Sequence, residues 1–429
     1  MPTALRAPGP RGLPLTGNLL QARRDSLAFL LDARARYGDV VRLRLGPLVL
    51  HMVSSPEGAK QILKTAHGVY LRTTPTNARL RDIIGDSLLT TDGCPWQARR
   101  KAIAPTLAPA PSLAMTPIVG RLAENVTKRW AAADSSVAVN SDMMELTLAI
   151  ITEVLFGVPI GDEAARMERA LSDVLLHHWR RVQSPFDLPH RLPTRSRRAF
   201  TAGTTELRNI LARLQAQADP GRTASMLARL GGLNADDELL TLLLAGHETT
   251  ANALSWALWL LATHPDEQDR LRSEAQIILG NRAPTANDLP KLVHATRVFE
   301  ETMRLYPPIW LLDRQATEDD EIAGYRIPGG TTVIVAPWVI HRHPDYWKDP
   351  DKFKPDRFIR RPVPFTYIPF GAGPHACVGG NLAMVEGPLI LATLLRSIRL
   401  SVIGRSVPQP FPGLTLRMRQ PLRLAVTAA

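Results

Sequence analysis

The stretch from about Ala235 to Thr263 constrains this chain more than any other. It reads as one long helix that is apolar nearly all round, so it must be buried through the middle of a domain. His264-Pro265 ends it, because the residue before a proline disfavours the α region. Enclosing such a helix takes a large α-rich body. Length alone, 429 residues, would permit two to four domains at roughly 100–200 residues each. With no internal repeat and no flexible linker, a single domain over residues 1–429 fits best, opened by a proline-rich segment at 1–20.

Around that helix the pattern is mostly helical. Asp25–Tyr37 reads as an amphipathic helix, and VVRLRLG and LVLHMV within Val40–Val53 alternate as strands do. Helical periodicity dominates from Pro56 to about Leu305. The segment Ser184–Thr194 breaks it, with Pro185, Pro189 and Pro193 four apart, and predicts a loop followed by the basic Arg195, Arg197 and Arg198. A charged helix follows Pro265 and another covers about Leu292–Leu305. Beyond Pro307 the texture turns to short strands. A last helix is expected from Cys377 to about Ile398, before a strand-like tail. The expected fold is mainly α with a minor β-sheet region.

Lys and Arg number 52 against 40 Asp and Glu, a formal charge of +12. The basic residues are scattered, with no arginine-rich tail, finger, RRM or KH pattern, which argues against nucleic acid. A solvated surface, an anionic membrane and an acidic protein partner stay open. Only two cysteines, Cys94 and Cys377, are present, which argues against a disulfide framework and suits a reducing cytosol. The N-terminal residues hold no apolar core long enough for a signal peptide or anchor, and no apolar run reaches the ~18 residues of a spanning helix. A cytoplasmic, monomeric protein is expected.

The segment Phe370-Gly371-Ala372-Gly373-Pro374-His375-Ala376-Cys377-Val378-Gly379 carries the chemistry. A cysteine at a helix start meets unpaired N–H groups and partial positive charge, which lower a thiol's pKa and favour the thiolate a metal needs. Gly371 and Gly373 permit a tight loop flat against a planar ligand. Gly379 keeps the first turn clear, and Phe370 can shield the sulfur. A lone cysteine here would read as a buried structural thiol. The same residues fit a loose dinucleotide pattern, G-x-G-x-x-A, but lack an acidic residue about 20 positions on.

With its glycines the segment resembles the haem-binding signature of the cytochrome P-450 superfamily, F-G-x-G-x-[RH]-x-C-x-G, and distant residues agree. Ala245-Gly246-His247-Glu248-Thr249-Thr250 resembles the family's oxygen-activation motif. The resemblance makes Thr249 the proton-delivery residue, with Glu248 its acidic partner. Glycine and threonines there predict a local opening of the helix ladder. Glu301-x-x-Arg304 alone would be an ordinary helical pair, but with Arg357 in Phe353–Phe358 it resembles the family's structural Glu–Arg–Arg core. Trp96 and Arg100 resemble the W-x-x-x-R pair that faces a haem propionate. Arg314 and His375 match further propionate positions. Arg99 and Lys101 read as a basic solvated helix face. His177-His178 and His341-x-His343 lack further metal ligands nearby and read as solvated histidines.

What the resemblance implies is a haem b enzyme with Cys377 on the iron and haem between the long helix and the cysteine-loop helix. It activates dioxygen with electrons from NAD(P)H, passed by a separate ferredoxin or flavodoxin and its reductase. Thiolate donation favours O–O cleavage. Arg99, Lys101 and the basic surplus would help dock an acidic partner. Leu242, Ala245, Ile309, Trp310, Leu311 and Leu312 are the expected pocket residues. Their apolar character points to a terpenoid or polyketide product, and next to a fatty acid. A haem-thiolate isomerase or dehydratase, and a non-catalytic haem protein, are the rival classes. Thr249 counts against the first, and Glu248 together with Thr249 against the second.

Overall fold

Ala235–Thr263 forms one unbroken helix. Asp236, Asp237 and Glu238 occupy its first turn, where the helix dipole favours negative charge. Pro265 opens the next helix, Pro265–Leu279. The computed structural model describes residues 4–133, 135–183, 194–218, 234–405 and 407–428, and only the backbone at 179, 182 and 183. The loop predicted at Ser184–Thr194 lies outside these residues except for Thr194, whose hydroxyl accepts from the Arg197 N–H at 3.2 Å and caps the helix Arg195–Gln217. Among the described residues no single helix is long and apolar enough to cross a membrane.

The long helix is sandwiched between the helix Val139–Phe156 on one side and the helices Val293–Leu305 and Gly380–Leu395 on another. Gly246 explains the first contact. A Cβ there would sit 2.9 Å from the Ile151 side chain, so glycine lets the two helices close. The expected opening of the helix ladder at this motif is thus corrected. The glycine serves packing, and the ladder runs on.

Two of the interior's apolar clusters meet along this helix. One gathers Leu239–Leu244 with Phe156, Ile210 and Trp96. The other gathers Ala251–Ala262 with Trp130, Phe299 and Leu389–Leu395. From Asp237 to Ala262 only Ala245, Gly246, Thr249 and Trp259 escape full burial. The first three share one helical face and fall at the junction of the two clusters.

The strands at Val40–Leu45 and Leu48–Val53 form the predicted hairpin, turning at Gly46 with φ 64°. They open a five-stranded sheet continued by Thr332–Val335, Leu312–Ala316 and Tyr70–Leu71, in that order. Arg423–Ala428 is the middle strand of a second sheet, antiparallel to Ile398–Val402 on one side and to Ser136–Ala138 on the other, and Pro410–Pro412 pairs with Leu416–Met418. Asp25 caps the predicted first amphipathic helix, Ser26–Tyr37, by accepting from the Ala28 N–H at 3.0 Å. The last helix is shorter than expected. It runs Gly380–Leu395, so Cys377 precedes it, and Ile398 already begins a strand.

Four histidines expected in solvent are buried. His177 bonds Ser196 Oγ at 2.9 Å, and His343 lies between Arg34 and Asp39. His341 Nε2 accepts from the Ile368 N–H at 2.8 Å. Burial and the Arg304 and Arg342 cations push the His341 pKa down to about 3, which keeps it a neutral acceptor. No group of metal-ligating side chains exists among the described residues.

Glu301 and Arg304 are fully buried and bond fork to fork, Nε–Oε2 at 2.7 Å and Nη2–Oε1 at 2.9 Å. Arg304 also donates to the carbonyls of His341, Pro350 and Lys352. Arg357 completes the trio, Nε donating to Glu301 Oε1 at 3.2 Å and the other nitrogens to the carbonyls of Lys348 and Asp349. The Lys354 N–H adds a further bond to Glu301. Every strong donor and acceptor has an answer, which is the condition under which buried charge is tolerated.

Candidate active site

The cysteine loop is shaped by glycine at two points. Gly371 and Gly373 adopt φ of 67° and 71°, the left-handed region that side chains disfavour. A Cβ on Gly373 would lie 1.9 Å from the Leu63 carbonyl oxygen, so nothing larger fits. The loop closes on itself as the Cys377 N–H donates to the Phe370 carbonyl at 2.8 Å. Val378 packs on the cluster that holds Leu242–Leu244, and Phe370 on the one that holds Ala251–Ala262. The loop therefore meets the same junction as the accessible helical face. Phe370 lies against Gly380 at the helix start, and Gly379 keeps the space beside the Cys377 sulfur free of a side chain.

Cys377 has accessible surface, yet burial is the largest influence on its thiol and pushes the pKa up. The Gly379 and Gly380 N–H groups and the Arg100 cation act the other way and favour the thiolate. The helix-start effect expected at Cys377 thus survives the shorter helix, through the two N–H groups just beyond it.

Beside the loop is a cationic rim. Trp96 stacks on His375 with ring centroids 4.0 Å apart. Arg100 Nη1 donates to the Ala376 carbonyl at 2.7 Å, and buried Arg314 donates to the Asp313 carbonyl at 2.7 Å. Arg72, which the sequence reading passed over, joins them. It donates to the Leu88 and Thr91 carbonyls, and both its N–H and its Nε reach Asp92. Burial is the chief force lowering the pKa of Arg72, and the cations of Arg314 and Arg100 add to it. Burial, then Arg72 and Arg314, push His375 down to about 3. His375 is therefore neutral, with an Nδ1 that is buried and unpartnered among the described residues.

Across the junction, the Thr249 hydroxyl donates to the Ala245 carbonyl at 2.7 Å, back along its own helix. Glu248 points elsewhere. Its Oε1 accepts from Thr415 Oγ1 at 2.7 Å, and Thr415 in turn accepts from Asn252 Nδ2 at 3.2 Å. Burial raises the Glu248 pKa. The structure therefore ties Glu248 to the C-terminal hairpin and does not bond it to Thr249. A second acid, unnoticed in the sequence, lies behind. Buried Glu386 on Gly380–Leu395 shares a hydrogen bond with Thr250, and burial lifts its pKa to about 8.

That shift has a sign. Between its ordinary value near 4.5 and about 8, folded Glu386 keeps a proton that the unfolded chain has released. Stability should therefore fall as pH rises through this window, by an amount on the order of a few kcal/mol. Urea midpoints at about pH 5 and about pH 8 should differ more for the native chain than for Glu386→Gln. An equal difference in both would remove Glu386 as the cause.

The expected pocket residues divide. Leu242 is buried in the first apolar cluster, while Ile309, Leu311 and Leu312 keep partial exposure. Leu312 lies 3.8 Å from the space a Cβ on Gly371 would take, beside the cysteine loop. Trp310 is a correction. It packs in a separate cluster with Trp338 and Leu416, and its indole N–H donates to the Gly413 carbonyl at 3.0 Å. Arg99 is another. It is buried rather than solvated, with Nε 2.7 Å from Glu238 Oε1 and Nη2 donating to the Asp86 carbonyl. The Arg99 Nε contact has ion-pair distance without hydrogen-bond alignment, so charge rather than a directed bond holds it. The pair fastens the long helix to the helix Gly93–Ile103 that carries Trp96 and Arg100. Lys101 remains exposed.

A planar iron cofactor bearing two carboxylates fits these donors. The Cys377 sulfur would hold its iron, the guanidinium groups of Arg72, Arg100 and Arg314 would answer its carboxylates, and the low helix face at Ala245 and Gly246 would leave it room. The class so defined is a haem-thiolate protein. The chain belongs to the cytochrome P450 family, whose profile matches residues 7–426. It is 33% identical to cyclooctatin synthase of Streptomyces melanosporofaciens over 97% of this chain and 92% of that protein. It is 30% identical to pentalenene oxygenase of Streptomyces avermitilis over 99% and 98%. A 6-coordinated cytochrome P450 from Thermus thermophilus superposes with a TM-score of 0.78 at 27% identity, over 94% of this chain and 98% of that one. The protein is a cytochrome P450 monooxygenase, and the cofactor of its family is haem.

Proposed function

We propose that this monooxygenase places one atom of dioxygen on an apolar cyclic terpenoid. Its electrons come from NAD(P)H through a separate ferredoxin or flavodoxin and its reductase. The substrate class is supported by two relatives whose names give terpenoid chemistry, cyclooctatin synthase and pentalenene oxygenase. Partly exposed Leu312, beside the cysteine loop, suits such a molecule. Haem, when bound, supplies an iron that binds and activates dioxygen.

The chain's own groups do the rest. Cys377 holds the iron through sulfur. Arg100, Arg314 and Arg72 hold the carboxylates, with Trp96 and His375 stacked beside them. Ala245 and Gly246 leave the helix face low. The observation that carries the reading is that Thr249 is the one hydroxyl on that accessible face, chemically suited to hold a proton for bound dioxygen. Glu248 can serve Thr249 only by leaving Thr415, so its resting role is to hold the C-terminal hairpin. Lys101, and not Arg99, offers exposed charge for an acidic electron donor.

The test is turnover of a panel of cyclic terpenes and fatty acids with NADPH, ferredoxin and ferredoxin reductase. The native enzyme should couple NADPH consumption to an oxygenated terpene. In Thr249→Ala, product per NADPH should fall at least about tenfold, with hydrogen peroxide rising in its place. Unchanged coupling would take Thr249 out of the role. Product formed without NADPH would point to an isomerase, and oxidation of fatty acids alone would overturn the substrate class.

A further inference from the structure

One part of the surface is both apolar and cationic, and the reaction makes no use of it. Residues 13–24 are stapled to the turn of the first hairpin. Leu13 and Gly17 exchange backbone hydrogen bonds, the Asn18 N–H donates to the Arg44 carbonyl at 2.6 Å, and the Gly46 N–H donates to the Thr16 carbonyl at 2.9 Å. The Arg44 side chain adds a bond to the Pro14 carbonyl. On this stapled base the leucines face outward. Leu15 is 87% exposed, Leu13 and Leu20 55%, and Leu48 across the turn 37%. Large apolar side chains gathered in this way mark a surface that something covers.

The charge pattern says what. Residues 1–24 contain four arginines and no Asp or Glu, and residues 40–56 contain Arg42 and Arg44 and again no acid. Arg11, Arg23 and Arg24 are exposed beside the leucines. The acids on the adjoining helix are engaged locally, Asp25 on the Ala28 N–H and Asp32 on Arg36 at 2.7 Å. A partner must therefore be negatively charged and must also accept projecting leucines.

We propose that this knob docks the enzyme on the surface of an anionic lipid bilayer. Leu13, Leu15, Leu20 and Leu48 enter the boundary between headgroups and acyl chains. Arg11, Arg23 and Arg24 meet lipid phosphates. A fluid lipid layer admits separate projecting side chains without a matching cavity, and arginines near an anionic leaflet add attraction that salt screens. Peripheral attachment becomes firm when an apolar and a basic signal act together, and both are present here on one stapled segment. Docking of this kind needs no spanning helix.

The experiment is co-sedimentation of the holoenzyme with phosphatidylcholine vesicles, with and without about 30% phosphatidylglycerol, at about 50 mM salt. The native protein should sediment with the anionic vesicles, stay in solution with the neutral ones, and be released as salt rises. The paired variants Leu13→Asp/Leu15→Asp and Arg23→Glu/Arg24→Glu should each bind at least about tenfold more weakly while keeping the native Tm. Native protein left in solution with both vesicles would overturn the proposal, as would variants that bind like the native chain. A concentration-dependent dimer that the leucine variant abolishes would give the knob to a second copy instead, and would equally overturn it.

Discussion

Cys377→His should yield a folded protein whose reduced, CO-bound form has lost the strongly red-shifted Soret band of the native enzyme. The loop geometry makes this a sharp test. Its turn depends on Gly371 and Gly373, and its closing bond joins the Cys377 backbone to Phe370. None of these uses the cysteine side chain, so the substitution changes the ligand and spares the scaffold. The Gly379 and Gly380 N–H groups and Arg100 favour a negative sulfur, and a neutral imidazole gains little from them. Thiolate ligation gives haem its capacity to favour O–O cleavage, so oxygenation should vanish with the band. A variant that kept the native spectrum would remove Cys377 from the iron.

The largest stability effect is expected at the Glu301–Arg304 pair. Arg304→Leu leaves a fully buried carboxylate under-compensated, with only Arg357 and one N–H to answer it. Breaking a buried pair by removing one partner costs about 3–5 kcal/mol. Urea denaturation should show that loss in the unfolding midpoint, together with poor haem retention, because the carbonyls of His341, Pro350 and Lys352 lose their common donor. Arg304→Lys should fare little better, since an ammonium cannot match the bidentate fork. A midpoint shift below about 1 kcal/mol would mean that the trio is ornamental.

The parts legible in the sequence were those with a local pattern. The long helix, its stop at Pro265, the first amphipathic helix and the first hairpin followed from periodicity and from proline. Cys377, Thr249 and the Glu301–Arg304–Arg357 trio stood out through spacing and family resemblance. What stayed hidden depended on contacts between segments far apart. Nothing around Arg99 announces that Glu238, on another helix, draws it into the interior. Arg72 and Asp92 look like ordinary loop charges until folding sets them beside Arg314 and His375. Glu248 is adjacent to Thr249 in the chain, yet one step along a helix turns a side chain by about 100° and sends its carboxyl to Thr415. Trp310 has neighbours typical of a pocket wall, and only the position of Gly413 turns it into core.

Apart from Glu301, Arg304 and Arg357 reach for main-chain oxygens, at His341, Lys348, Asp349, Pro350 and Lys352. Every amino acid carries such an oxygen. These five points between 341 and 357 are therefore gripped without reference to the side chains they carry, provided that the three anchors stay. At the exposed positions of that region spelling is free to drift while shape is inherited, so a designer could rewrite those outward side chains for solubility or partner choice and keep the haem-side frame intact.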